Sequence, residues 1–98
     1  MLDVMQVKDF LSTLEQTNPP SGVSESMKAL WHYRKGNWQR AHEIVQDLHS
    51  DDAAWVHAFL HRDEGDLWNA DYWYRRAGKS RPSVPLEKEW LLIAETLI

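Results

Sequence analysis

His57 and His61 stand four residues apart with Glu64 three further on, a spacing that brings all three to one face of a helix and offers two imidazole nitrogens and a carboxylate to a metal ion. The same spacing also suits two histidines packed into a core, and that use is the favoured reading, so no metal ligand is assigned. Arg75, Arg76, Lys79 and Arg81 gather four cations in seven residues, where a phosphate or an acidic partner could bind. Cations near a helix C-terminus are also favoured by the helix dipole, which explains such a cluster without a ligand. Glu43, Asp47, Asp63, Glu64 and Asp66 are scattered carboxylates that form no recognisable acid–base pair. Phosphate-cradling glycine loops, nucleophile elbows and His-Glu-x-x-His strings are all missing from the sequence. The residues therefore point to binding rather than to enzymatic chemistry, with no catalytic residue and no cofactor expected.

The background against which these groups sit is that of one small globular unit. Of the 98 residues 43% are hydrophobic and 27% charged, and six are tryptophan, a load that must be mostly buried or engaged. With no cysteine, disulfides and thiolate metal sites are excluded, which fits a cytoplasmic location. The formal charge of −4 argues against general affinity for nucleic acid or anionic lipid. No apolar run reaches the length of a membrane span, and the N-terminal residues lack the pattern of a secretory signal.

A repeat supplies the elements. Leu30 to Ala41 recurs as Phe59 to Ala70 at a constant offset, which sets His32 on His61, Gly36 on Gly65, Asn37 on Asp66 and Ala41 on Ala70. In each copy a glycine closes one helix while the following Asn or Asp caps the next, so paired helices are joined with almost no loop. Val7, Phe10, Leu11 and Leu14 draw an apolar stripe on a first helix over about 4–17, ended by Asn18-Pro19-Pro20-Ser21-Gly22. A second helix starts near Ser24 and carries Met27, Leu30 and Trp31 inward. The third, over 38–49, is expected to bury Trp38, Ala41, Ile44, Val45 and Leu48. The fourth, with Trp55, Val56, Ala58, Phe59 and Leu60, should be the most buried element. The fifth presents Leu67, Ala70, Trp73, Tyr74 and Ala77, and after a break at 80–85 residues 86–98 form a closing helix. The expected fold is all-α: two helical hairpins, over about 24–50 and 51–82, between an N-terminal and a C-terminal capping helix.

The Gly-Asn/Asp-x-x-x-Ala string, with a large residue four positions on, resembles the tetratricopeptide repeat family over about residues 25–82. Ala41 and Ala70 match that family's small residue where paired helices cross, Val45 and Tyr74 its large apolar position, Ala77 its next small one and Pro82 its repeat-ending proline. The period of 29 differs from the family's 34, Leu48 and Ala53 stand where Ala and Pro are usual, and the early Trp-Leu-Gly signature is absent. The resemblance implies a groove lined by the first helix of each hairpin. Its carboxylate-clamping Lys, Arg and Asn positions are occupied here by Ser26, Leu30, Trp55 and Phe59, so an aromatic surface replaces the clamp. It also implies a packed aromatic where His32 and His61 stand, which strengthens their structural reading. Two outcomes follow for the groove: the chain's own terminal helices fill it, or Tyr33, Arg34, Trp55, Phe59 and Arg62 accept a protein or peptide partner, a second copy of the chain included. The function expected on this basis is a small adaptor or scaffold module. The alternative is a domain that binds a small ligand or metal in a pocket around His32, His57 and His61.

Overall fold

The computed structural model describes residues 5–98, and within them the regular structure is helical throughout: α1 (Val7–Ser12), a 3-10 turn (Thr13–Glu15), α2 (Glu25–Arg34), α3 (Trp38–Val45), α4 (Asp51–Asp63), α5 (Leu67–Arg76) and α6 (Leu86–Leu97). The two repeated junctions use one mechanism. Gly36 and Gly65 adopt φ of +88° and +85°, and the amides of Asn37 and Asp66 return to the carbonyls of His32 and His61 at 2.8 and 2.9 Å. These bonds satisfy carbonyls that the helix end would leave open. The side chains of Asn37 and Asp66 then accept from the amides of Arg40 and Asn69, which starts α3 and α5. Ser24 and Ser50 cap α2 and α4 in the same way, accepting from Met27 and Ala53. As a result α2 packs along α3 and α4 along α5, and α4 also touches α3, α2 and α6.

The core sits around α4, whose residues 53–61 are all buried, as expected for that helix. Every helix contributes to it: Phe10 from α1, Trp31 from α2, Val45 from α3, Phe59 from α4, Tyr74 from α5 and Trp90 from α6. Indole N–H groups find acceptors as they go inward. Trp31 donates to Thr13 Oγ1 at 3.2 Å, Trp38 to the Leu60 carbonyl at 2.9 Å, and Trp90 to the Leu30 carbonyl at 3.1 Å.

Several boundaries and burials depart from expectation. The first helix is shorter than 4–17, of which residue 4 lies outside the described residues; Thr13 Oγ1 donates to the Phe10 carbonyl at 2.6 Å where the helix gives way to the 3-10 turn. The third helix stops at Val45 instead of 49, and the Leu48 amide closes a tighter turn onto the Val45 carbonyl. Because α3 and α5 are the outer members of their pairs, each buries only a narrow stripe: Ala41 and Val45 on one, Ala70 and Tyr74 on the other. Trp38, Ile44, Leu48 and Trp73 are half-buried in consequence, and Leu67, expected inside, is exposed.

Candidate functional site

The groove anticipated beside α2 and α4 is covered by α6. Glu89, only 1% exposed, reaches from α6 into the middle of the fold. There it accepts from Arg62 at 2.8 Å, from the Tyr74 hydroxyl at 2.7–2.8 Å and from the Trp55 indole at 3.3 Å. Arg62 also donates to the Val84 carbonyl just before α6 begins. The expected partner surface is corrected on this point: Trp55 and Phe59 are core residues, and Arg62 is spent on an internal carboxylate. Tyr33 donates to Asp63 at 2.8 Å, edge-on to Phe59; burial and that bond raise its phenol pKa to about 12. Arg34 lies 5.0 Å over the Trp90 ring and pairs with Glu87 at 3.2 Å. Of the five residues, Tyr33 and Arg34 line one open depression, with Gly36, Trp38 and Asp63, and Trp55 lines another, with Lys79, Pro82, Glu89 and Leu92.

The four cations of the anion-site expectation do not act as one set. Arg81 is taken by Asp71 at 2.8 Å, which raises the guanidinium pKa further, and Lys79 sits 4.1 Å over the Trp55 ring. Arg76 lies over Tyr72 and Trp73, at 6.0 and 5.5 Å. Arg75, Lys79 and Arg81 do line a common cleft, but Asp71 shares it and supplies its own negative charge. Neither Arg75 nor Arg76 pairs with a carboxylate among the described residues.

A surface that sequence reasoning missed lies on the outer face of α5. Trp68 is 79% exposed and Tyr72, one turn further on, is 39% exposed. Trp68, Tyr72, Arg75 and Arg76 fall at spacings of four, seven and eight, opposite the buried stripe of Ala70 and Tyr74. The signal was available: once Ala70, Tyr74 and Ala77 are taken as the inner stripe, helical spacing puts Trp68 on the far side.

A third assembly gathers imidazoles from two helices. His42 on α3 meets His57 and His61 on α4, with one ring nitrogen of each lying within 4.8 Å of the others. His42 Nε2 is 3.1 Å from His57 Nε2, and Glu64 Oε1 is 2.7 Å from His61 Nδ1. Trp38 stacks on His42 and Trp73 on His57, at centroid distances of 4.9 and 3.9 Å. Burial, reinforced by the neighbouring His42 and His61, lowers the His57 pKa to about 3, and burial followed by His61 lowers that of His42. His32 is corrected out of this pocket: it lies edge-on to Trp31 and is not one of the clustered imidazoles. Glu64 keeps its place near His61 but stands behind it, while His42, which the repeat does not mark, completes the trio. Compared with protein-family models, with curated proteins and with solved structures, the chain matches none.

Proposed function

We propose that this chain is a small protein–protein interaction module of two tetratricopeptide-like helical pairs, closed by its own terminal helices, whose contact face is the outer side of α5. The observation that carries this reading is Trp68, a large ring left 79% exposed on a helix whose opposite side is core. Exposed apolar surface with polar neighbours marks contact sites, and Trp, Tyr and Arg are the side chains that most often dominate binding energy. Tyr72 widens the apolar surface, and Arg75 and Arg76 supply positive charge that no carboxylate among the described residues pairs with. The matching partner is therefore an acidic protein segment that presents apolar side chains to the indole. The remaining cations are dispersed or paired, so no broad basic surface supports nucleic-acid binding. Binding without catalysis, in the cytoplasm, is the role this reading assigns. No helix among the described residues is long and apolar enough to cross a membrane.

A photo-crosslinking amino acid placed at position 68 in the native cell tests this. It should trap one stoichiometric protein, whose binding weakens at least tenfold in Trp68→Ser and in Arg75→Glu while the melting temperature stays within about 2 °C, as exposed positions allow. Binding that survives both substitutions but is lost in Tyr33→Ala would overturn the assignment in favour of the Tyr33–Arg34 depression. A doubled mass in light scattering that disappears in Trp68→Ser would identify the partner as a second copy.

A further inference from the structure

We infer that His42, His57 and His61 form a binding site for one divalent transition-metal ion, zinc by the chemistry of the donors, with three imidazole nitrogens and one exchangeable position. The inference rests on the gathering of three rings from two helices and is independent of the α5 contact face. A zinc–nitrogen bond of about 2.0–2.1 Å in a tetrahedral site sets neighbouring nitrogens roughly 3.3 Å apart. His42 Nε2 and His57 Nε2, at 3.1 Å, already stand at that separation, and the third nitrogen lies within 4.8 Å. A small inward movement of His61 closes the set.

Hydrogen bonding alone does not account for the arrangement. If one of His42 and His57 donates to the other, the contact uses one N–H and one lone pair, and the converging His61 nitrogen takes no part in it. Stacking on Trp38 and Trp73 holds the His42 and His57 rings in place without using their nitrogens. A bound cation turns the convergence of lone pairs from a cost into the source of binding. His61 carries the feature expected of a ligand imidazole: Glu64 accepts from Nδ1, which fixes the tautomer and leaves the Nε2 lone pair free. Nitrogen donors without thiolate or a ring of carboxylates favour zinc, nickel or copper over magnesium or calcium. His42, only half-buried at the edge of the trio, gives the ion its way in.

The test uses the tag-free full chain, freed of metal by a chelator and titrated with zinc at neutral pH by calorimetry. Cobalt serves in parallel as a probe whose visible spectrum reports tetrahedral coordination. One zinc per chain is expected, with a rise in melting temperature. Affinity should fall at least 100-fold in His42→Gln and about tenfold or more in Glu64→Gln, while His49→Ala leaves it unchanged. His42 is the chosen ligand variant because it is half-buried, and circular dichroism checks that its helix content matches the parent. Absence of stoichiometric binding at micromolar zinc by the parent chain would overturn the inference. Equal binding by parent and folded His42→Gln would do the same, as would an octahedral cobalt spectrum.

Discussion

Glu89 is the residue on which the closing helix turns, because a carboxylate so deeply placed is tolerable only while its donors remain. Arg62 supplies the opposite charge, and Tyr74 and Trp55 occupy further lone pairs. Removing one partner of such a pair strands the other in a medium that solvates it poorly, at a cost of about 3–5 kcal/mol. Arg62→Met should accordingly lower stability by roughly 3 kcal/mol in urea unfolding, whereas a double change to Arg62→Met with Glu89→Leu should recover much of the loss. An equal loss in both variants would show that the packing of the Arg62 stem, and not the stranded charge, is responsible. The phenols give a second residue-scale expectation. Burial and the bonds to Asp63 and Glu89 raise the Tyr33 pKa from 10 to about 12 and push that of Tyr74 higher still. A raised folded-state pKa contributes stability that is intact below pH 10 and is lost above it. Unfolding free energy should fall steadily from pH 10 to 12, with Tyr33 contributing about 1 kcal/mol once discounted because the ring is only half-buried. Tyr33→Phe should flatten part of that slope in pH-dependent denaturation; an unchanged slope would remove Tyr33 as a cause.

At the level of elements, the helix junctions were legible in the chain because glycine and its following cap act locally. Gly36 and Gly65 have open space where a Cβ would stand, so replacing either by alanine meets no clash and costs only the left-handed backbone conformation. Gly36→Ala and Gly65→Ala should each destabilise by about 1–2 kcal/mol, and Gly36→Asn by less, as measured by thermal melts. Unequal costs beyond that range would mean that the two junctions are not mechanical equivalents. The inner stripes were equally legible: Ala41, Val45, Ala70, Tyr74 and Ala77 follow helical spacing, and all five are buried. What spacing does not encode is which neighbour lies opposite. Glu89 reads as a surface residue on α6 until Arg62, 27 positions earlier, is seen to face it, and His42 gains significance only when α3 is laid against α4. Trp55 and Phe59 match groove positions in the sequence for the same reason, since nothing within α4 states that α6 returns to cover them. The short first helix reflects a local competition, in which the side chain of Thr13 takes up the backbone carbonyl of Phe10.

For the molecule as a whole, α2 packs with α3 and α4 with α5, and α6 lies against α4 and α2, held by Trp90 as well as by Glu89. The Cα radius of gyration is 12.9 Å, against about 12.6 Å for a compact chain of this length, so the terminal helices are drawn in and not extended. Trp90, with no exposed surface, lies where α1, α2 and α6 converge: its ring faces Phe10 at 6.1 Å, its N–H reaches the Leu30 carbonyl, and Arg34 covers it at 5.0 Å. Trp90→Ala removes all of these contacts together and should cost about 3–5 kcal/mol, a large part of the roughly 5–15 kcal/mol that holds a domain of this size. The form of the loss is as informative as its size. If α6 is integral to one core, unfolding curves followed by circular dichroism and by tryptophan fluorescence will remain superimposable at a lower urea midpoint. If it merely lies on a self-sufficient pair of hairpins, fluorescence will change first and helix content later. Because Glu89, one residue before Trp90, ties α6 to both α4 and α5, the single shared transition is the expected result.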